Sequence, residues 1–249
     1  MKTRTGFASA VLAMLAVVFL MTAGRQVQAQ DARAVARSVT PSVVLLMMQD
    51  DNGQAISLGS GFVVGDGVIV TNLHVIAGAS RGYAKLPDQK DKLPIEGTFG
   101  IDDVHDLAIL SVPRLKVKAL PLGDSSQVVT GDEVYVVGNP QGLEGTFSTG
   151  IVSGIRKFGE DSLLQITAPI SPGSSGGPVT NSKGEVIGVS VATFKEGQNL
   201  NFAIPSSYIK PLLAKPTAIT ELAKATKPQA HRAKSILDDL VHCHTMILG

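Results

Sequence analysis

The sequence predicts an all-β protein built as two barrels. Short runs of β-branched and apolar residues follow one another at regular spacing, separated by Gly, Asn and Asp turn signals. Almost no helical periodicity lies between these runs, and a mostly turn-like segment, 117–132, divides the strand-rich region into two similar halves. We therefore expect barrel one over about residues 40–122 and barrel two over about residues 123–204.

A strand is expected wherever an apolar run is bounded by turn residues. The expected strands are 42–48, 59–64, 67–72, 107–112, 133–138, 148–155, 162–167 and 185–194. The Asn-Ser-Lys-Gly sequence at 181–184 predicts a hairpin turn before the last of them. Residues 31–38 are expected to form a short helix or arm, and a second helix should begin at Pro205.

The first 29 residues have the three-part pattern of a secretory signal peptide. Lys2 and Arg4 precede an apolar run at 8–23, and small residues at 27–29 form a cleavage-like site. The alternative is an uncleaved membrane anchor, because the apolar run approaches the length that spans a bilayer. Cleavage would remove three basic residues and no acid, so the formal net charge of +1 would become −2. We therefore expect an exported protein, periplasmic or secreted, with no stable membrane insertion and no nucleic-acid partner.

The last 34 residues, 216–249, differ in character from the strand-rich region. They are too short for another ordinary domain and should form a terminal helix or a loose tail. The single cysteine, Cys243, excludes an intramolecular disulfide and leaves a thiol able to pair between molecules. His242 and His244 flank it, but three adjacent residues cannot easily converge on one metal ion. One helical face of the tail is apolar, formed by Ile236, Leu237, Leu240 and Val241.

Three segments carry the residue types needed for covalent catalysis. His74 closes the strand pattern of 59–76, Asp106 opens the apolar strand after 102–105, and Ser175 lies in the glycine-rich turn of 171–179. A serine hydroxyl becomes a useful nucleophile only when a base takes its proton, and histidine has a pKa of about 6.5. A carboxylate then orients the imidazole, a task for which Asp102 and Asp103 are alternatives to Asp106. Any one of these residues alone would be ordinary, but the three in order predict a catalytic triad.

Glycines around the serine indicate a second catalytic feature. Gly173, Gly176 and Gly177 allow a tight turn, so that the N–H groups of Gly173 and Ser175 can face a developing oxyanion. This chemistry requires no metal ion and no organic cofactor.

The three segments resemble the catalytic blocks of the trypsin-like serine proteases, and more narrowly those of the HtrA/Deg branch. The matching sequences are TNLHVI, DLAIL and GSSGGPV, supported by SVTPSVVLL, GDEVYVVGNPQG, STGIVSGI and NFAIPSSYI. The resemblance implies two six-stranded Greek-key barrels, a short C-terminal helix, a protease domain over 30–215 and an active site between the barrels. It assigns His74 as general base, Asp106 as orienting acid and Ser175 as nucleophile, with the oxyanion hole at Gly173 and Ser175.

The resemblance also implies a substrate side. Ile170, Asn201, Phe202 and Ala203 match positions that line the primary specificity pocket, and Pro169 stands where proteases specific for Lys or Arg carry an acid. We therefore expect cleavage of unfolded or extended polypeptides after a small or medium apolar residue, in protein quality control. A homotrimer through the arm at 31–40 is a further expectation. No PDZ module is expected, because none fits within 216–249.

Two other functions fit part of the sequence. An α/β-hydrolase would use the same G-x-S-x-G sequence, but its nucleophile must lead into a helix, whereas Pro178 and a hairpin follow here. The other alternative is a catalytically weak binding or chaperone-like protein that keeps the protease scaffold. Cleavage that is lost on Ser175→Ala would separate an enzyme from such a scaffold.

Overall fold

The computed structural model describes residues 32–191 and 201–225, and β-strands are the main secondary structure of this part of the chain. The strands are β1 (Val43–Gln49), β2 (Ala55–Gly65), β3 (Val68–Asn72), β4 (Arg81–Lys85), β5 (Leu93–Pro94), β6 (Gly97–Asp102), β7 (Leu107–Ser111), β8 (Glu133–Gly138), β9 (Thr146–Phe158), β10 (Asp161–Ile166), β11 (Pro178–Thr180), β12 (Val186–Val191) and β13 (Asn201–Pro205). The α-helices are α1 (32–39), α2 (Leu73–Ile76), α3 (Ile209–Ala214) and α4 (Leu222–Ala225). Single 3₁₀ turns lie at Thr40–Ser42, Ser125–Gln127, Pro140–Gly142 and Ser206–Tyr208.

Barrel one is made from β1 to β7. Its strands are hydrogen-bonded in the order β5-β4-β1-β2-β3-β7-β6. The two edges meet because the chain runs directly from β5 into β6. Ile95 N donates to Gly82 O on β4 at 2.9 Å, and Glu96 N donates to Ser111 O on β7 at 2.9 Å. Residues 93–102 therefore act as one interrupted strand, and the sheet curls into a six-stranded barrel.

Barrel two is a closed barrel with the order β10-β13-β12-β11-β8-β9. When β5 and β6 are counted as one strand, both barrels have the same order, in which the first three strands are followed by the sixth, fifth and fourth. This is a Greek-key arrangement. The prediction of an all-β fold with two six-stranded Greek-key barrels is confirmed.

Three apolar cores explain why the strands read as unbroken apolar runs. One core fills each barrel, and a third lies between them. Leu107 and Ile109 of β7 face the junction, whereas Ala108 and Leu110 face the interior of barrel one. In β8, Tyr135 and Val137 face the junction, and Val134 and Val136 face the interior of barrel two. Since side chains alternate along a strand, both faces of these strands are buried.

Several expected elements are confirmed at the ends of the barrels. Helix α1 buries Val35 and Val39 against the junction core, and a 3₁₀ turn followed by α3 begins after Pro205. The turn at 181–184 joins β11 to β12, with Gly184 N donating to Asn181 O at 3.0 Å. The end of the strand expected at 185–194 lies outside the described residues from position 192 onward.

Sequence patterning did not identify β4, β5, β6, β11 or β13. The sequences of β4 and β6, RGYAK and GTFGID, mix charged residues and glycines with few apolar residues. Each nevertheless pairs with a strongly apolar strand, β1 and β7 respectively, which supplies the hydrogen-bonding partners. His74 also differs from expectation, because β3 ends at Asn72 and His74 lies in the one-turn helix α2.

Residues 217–220 run along barrel one. Thr98 N and Thr220 N each donate to the other residue's carbonyl oxygen, at 2.8 and 2.9 Å, and Thr217 N donates to Phe99 O at 2.8 Å. Leu222 then enters the barrel-one core. The proposed leader at 1–29, Cys243 and the apolar helical face of the tail lie outside the described residues. Within the described ranges, none of the helices has the length and apolar character needed to cross a membrane.

Candidate active site

The His74 imidazole and the Asp106 carboxylate form a close pair at the edge of barrel one. His74 Nδ1 lies 2.6 Å from Asp106 Oδ2, and the His74 backbone N–H donates to Asp106 Oδ1 at 2.8 Å. Asp106 is completely buried, whereas the His74 side chain is 40% exposed. The carboxylate therefore fixes the ring through Nδ1 and leaves Nε2 as the nitrogen that can exchange a proton with another group.

The backbone around Asp106 holds this carboxylate in place. Asp106 is the last residue of the four-residue turn between β6 and β7, and its φ of +54° lies in the left-handed region. Its carbonyl oxygen accepts hydrogen bonds from Leu73 N and Asn72 Nδ2, both at 3.0 Å. The carbonyl and the carboxylate thus both bind residues 72–74, so the strained turn and the one-turn helix carrying His74 fix each other.

Ser175 belongs to the turn that enters β11 of barrel two. Ser60 N on β2 donates to Ser175 O at 2.8 Å, which joins this turn to barrel one. Gly176, with φ of +86°, is required here, because a Cβ would lie 2.2 Å from Ser60 O and 2.3 Å from Thr71 Oγ1. The contact brings the serine turn against the barrel that carries His74.

The Ser175 side chain itself has few contacts. The residue is 7% exposed, and its hydroxyl makes no hydrogen bond to any other residue in the described part of the chain, His74 included. Catalytic hydrogen bonds are often long before substrate binds and tighten in the complex.

The turn before Ser175 presents two unpaired backbone donors. Within residues 32–191 and 201–225, the N–H groups of Gly173 and Ser175 donate to no acceptor. Pro172 O accepts from Gln141 N at 2.9 Å. Because the N–H and C=O of a trans peptide point in opposite directions, this bond turns the Gly173 N–H away from Gln141. Two free N–H groups in one tight turn are the kind of donors that suit an oxyanion.

Ser60 and Asn139 form a buried network beneath this turn, which sequence reasoning missed. Ser60 Oγ donates to Gly173 O at 2.7 Å and accepts from Asn139 N at 2.9 Å. Asn139 Nδ2 donates to Val44 O at 2.9 Å, and its Oδ1 accepts from Gly145 N at 3.1 Å. The only sequence signal for this network is the presence of polar residues within otherwise apolar or glycine-rich runs.

The four residues expected at the specificity pocket divide between two faces of barrel two. Ile170 and Ala203 pack in the barrel-two core, and Asn201 Nδ2 donates to Ala168 O at 2.9 Å. Phe202, one position along β13 from each of its neighbours, packs instead in the junction core. Residues 192–200, which lead into β13, lie outside the described residues.

Asp102, one alternative for the orienting acid, is engaged elsewhere. Its carboxylate accepts from His105, through the backbone N at 2.9 Å and through ring Nδ1 at 2.6 Å. Burial opposes ionisation of Asp102, but the hydrogen bonds from His105 outweigh it and lower the pKa of that carboxyl group. Burial likewise disfavours the His105 cation, but hydrogen bonds to Asp102 and Asp161 outweigh it and raise the pKa of the imidazole. Of the three candidate acids, the structure brings only Asp106 to His74.

Metal-binding side chains are not grouped in the described residues. No cluster of three or more His, Cys, Asp or Glu side chains there could hold a metal ion. The His242-Cys243-His244 sequence lies outside those residues.

Comparison with known proteins agrees with this geometry. The family described as a trypsin-like peptidase domain matches residues 59–189, about half of the chain. The serine protease HhoB of Synechocystis is 38% identical over 157 residues, covering 59% of this chain and 37% of the relative. A periplasmic serine endoprotease of Brucella suis, described as DegP-like, is 40% identical over 165 residues, covering 62% and 32%. The solved structure of the HtrA-type protease AlgW with a tripeptide has a TM-score of 0.66 and 30% identity, covering 73% of this chain and 62% of that one. The chain thus spans well under half the length of these two curated relatives.

Proposed function

Because this chain belongs to the trypsin-like peptidase family and its relatives are HtrA- and Deg-type serine proteases, we propose that it is a serine endopeptidase using His74, Asp106 and Ser175. The observation that carries the proposal is the buried Asp106 carboxylate, 2.6 Å from His74 Nδ1, on the barrel that touches the Ser175 turn.

The proposed reaction begins when His74 Nε2 takes the proton of Ser175 Oγ. The oxygen attacks the scissile carbonyl carbon and forms a tetrahedral intermediate, while Asp106 stabilises the imidazolium. The C–N bond then breaks, and His74 gives its proton to the leaving amine, which leaves an acyl-enzyme on Ser175. Water, deprotonated by His74, hydrolyses the ester and restores the serine.

The oxyanion of that intermediate would bind the N–H groups of Gly173 and Ser175. Support for this role comes from the bond between Gln141 N and Pro172 O, which orients the peptide unit before substrate arrives. A donor that needs no rearrangement stabilises the oxyanion more than a flexible one does. Removing one such donor lowers kcat roughly 100- to 1000-fold.

We propose polypeptides in unfolded or extended form as substrates, with a small or medium apolar residue before the scissile bond. The proposal is supported by the apolar character of Ile170 and Ala203, which pack in the barrel-two core, and by the Asn201 amide, which donates to Ala168 O. No acid stands at Pro169 to attract a Lys or Arg side chain. Phe202 is proposed to support this wall from the junction side.

We further propose that the protein is exported, acts in protein quality control and assembles as a homotrimer through the arm at 31–40. The leader-like pattern at 1–29 and the periplasmic description of the Brucella relative support export. The described part of the arm buries one face against the junction core and leaves Arg33 and Arg37 exposed on the other, so a trimer contact would be polar. The molar mass of the Ser175→Ala protein by light scattering tests the trimer.

The proposed activity is tested by labelling the protein with a fluorophosphonate and mapping the adduct by mass spectrometry. We expect the label on Ser175, and its loss in Ser175→Ala and His74→Ala. Cleavage of an unfolded protein should fall by about 10⁴-fold or more in each variant. Ser153→Ala, which removes another buried serine hydroxyl, is the matched control and should label normally.

Two results would contradict the proposal. Labelling at a serine other than Ser175 would exclude the proposed nucleophile. Binding of unfolded protein by the wild type, unchanged in Ser175→Ala and without cleavage in either, would instead favour a scaffold that only binds.

A further inference from the structure

His105 lies directly beside the proposed orienting acid, in the same four-residue turn between β6 and β7. It is set apart from His74 by its surroundings. Both of its ring nitrogens face carboxylate oxygens: Nδ1 lies 2.6 Å from Asp102 Oδ2, and Nε2 lies 3.0 Å from Asp161 Oδ1. Neither nitrogen is free to exchange a proton with a substrate.

The geometry determines the protonation state of this ring. A neutral imidazole has one N–H and one lone pair, so it can donate to only one of two ionised carboxylates and would direct its lone pair at the other. An imidazolium donates to both, and short N–H···O distances are typical of such charge-assisted bonds. The arrangement therefore holds one proton more than a neutral histidine would carry.

The two carboxylates belong to different barrels. Asp102 ends β6 of barrel one, and Asp161 begins β10 of barrel two. The His105 ring also stacks on the ring of Tyr208, with centroids 3.8 Å apart and an interplanar angle of 16°. Tyr208 follows β13, and its hydroxyl accepts from Ser162 N at 2.9 Å. The groups that face His105 are thus two acids and one phenol ring, and two of the three come from barrel two.

This position matters because the Asp106 backbone is strained. A non-glycine residue at a φ of +54° needs its surroundings to hold it there. The carbonyl and carboxylate of Asp106 fix it from the His74 side. On the opposite side, the preceding residue is His105, whose backbone N–H and ring are both bound.

We propose that His105 is a positioning residue, an imidazolium clamp that ties the turn bearing Asp106 to barrel two. The inference rests on the proposed function of Asp106 as the orienting acid. While the clamp is protonated, it fixes the turn and the orientation of His74. When His105 loses its proton, one of its two hydrogen bonds is lost and the turn loosens. Proteolysis should therefore decline at alkaline pH as the His105 clamp loses its proton.

The first test is the pH profile of kcat and KM with an unfolded or peptide substrate. Asp161→Asn removes the carboxylate on barrel two and should move the alkaline decline of kcat about one pH unit lower, the smallest shift expected from losing one neighbouring charge. KM should stay within about twofold, because Asp161 lies outside the proposed substrate side, whereas disturbed positioning lowers kcat. Glu160→Gln is the matched control, since it removes the adjacent, exposed charge.

His105→Gln provides a second variant. It removes the titrating group, so the alkaline decline due to the clamp should disappear, and kcat at neutral pH should fall roughly tenfold or more from misplacement of the triad. An Asp161→Asn profile that matches that of Glu160→Gln would overturn the proposal. A His105→Gln profile that keeps the wild-type alkaline decline would also overturn it.

The second test does not need activity. In the full Ser175→Ala chain, nitrogen NMR of the histidine rings should show His105 with both nitrogens protonated at pH 7, and Asp161→Asn should lower its titration midpoint. A neutral His105 ring at pH 7 would contradict the clamp. If the wild-type chain cleaves nothing while His105 is an imidazolium sensitive to Asp161, the proposed function has failed, but the charged link between the barrels stands.

Discussion

At the scale of single residues, the Ser60 hydroxyl links two backbone groups of barrel two. It donates to Gly173 O, which is partly buried, and accepts from Asn139 N, which is buried. Ser60→Ala leaves a buried N–H and a partly buried carbonyl without their partner, so we expect a loss of about 1–3 kcal/mol in the free energy of unfolding. Labelling of Ser175 should also slow, because Gly173 loses a contact that orients its peptide. Denaturant unfolding and labelling rates measure the two effects.

Ser153→Ala is the control for that prediction. Ser153 Oγ is buried without a hydrogen-bond partner in the described residues, so removing it leaves nothing unpaired and should change the stability by less than about 0.5 kcal/mol. An equal loss of unfolding free energy in the two variants would mean that removing any buried hydroxyl destabilises the protein to this extent, and that the hydrogen bonds of Ser60 contribute nothing further.

Alanine substitutions at Gly173 and Gly131 separate the effect of backbone strain from that of a steric clash. Its φ is +98°, and a Cβ there would lie 2.6 Å from Asn139 O, a backbone atom that cannot easily move. Gly173→Ala should therefore disturb the free N–H groups and reduce the rate of Ser175 labelling at least 100-fold. Gly131 has φ of +101° and nothing within 4 Å of an added Cβ. Gly131→Ala should cost only about 1–2 kcal/mol of stability and leave labelling unchanged. Slow labelling in both variants would assign the effect to global strain.

The candidate triad could be predicted from single residues, because each lies in a distinctive local sequence. The residues that support it could not. Asn72, Ser60 and Asn139 act through hydrogen bonds to backbone groups that are 34, 113 and 95 positions away. A sequence shows that such a residue is polar within an apolar run, but it does not show which distant carbonyl will need a donor.

At the scale of elements, residues 217–222 extend barrel one beyond its own strands. Thr220 pairs with Thr98, and Leu222, only 3% exposed, enters the barrel-one core. Leu222→Ala should lower the free energy of unfolding by about 2–4 kcal/mol, through lost burial and a residual cavity. Ile219→Ala is the control, since Ile219 is 47% exposed and should cost less than about 1 kcal/mol. A Leu222 variant as stable as the Ile219 variant would contradict the docking of this segment.

Apolar runs identified most of the strands, because β1, β7, β8 and β12 are buried on nearly every residue. The pattern fails for β4 and β6, whose residues are partly exposed and include glycines. Pairing with an apolar neighbour makes these segments strands, and pairing is a property of the sheet. The helix of His74 was missed for a related reason. Its first two residues, Leu73 and His74, are held by hydrogen bonds to Asp106, and no periodicity can be read from one turn.

At the scale of the whole molecule, the same strand order occurs twice, and the two barrels meet along an apolar junction with the candidate site at its edge. The turn at 117–132 and the two similar halves made the two barrels predictable. The placement of one barrel against the other could not be predicted, because the junction depends on which face of each strand points out of its barrel. Specific polar links also join the two barrels, among them Ser60 N with Ser175 O and the His105 ring with Asp161.

The His105 link predicts how the stability of the whole molecule depends on pH. The pKa of His105 is raised in the folded state above 6.5, so its contribution is fully present below pH 6.5 and is lost as pH rises through the raised value. The pKa of Asp102 is lowered below 3.8, so its contribution is present above pH 3.8 and is lost as pH falls through the lowered value. The link should therefore stabilise the protein most between these two limits.

Thermal unfolding of Ser175→Ala with and without His105→Gln measures this contribution, since the background variant prevents self-cleavage. The difference in Tm should be largest between about pH 4 and 6, inside the window set by the ordinary pKa values of Asp and His, and should shrink as pH rises from 6.5 through the raised pKa of native His105. Glu160→Gln in the same background should give a small difference without that shape, because its charge faces solvent. A Tm difference for His105→Gln that stays constant from pH 5 to pH 9 would mean that the ring stabilises the junction by stacking on Tyr208 alone, and the charge on His105 would then have no part in holding the barrels together.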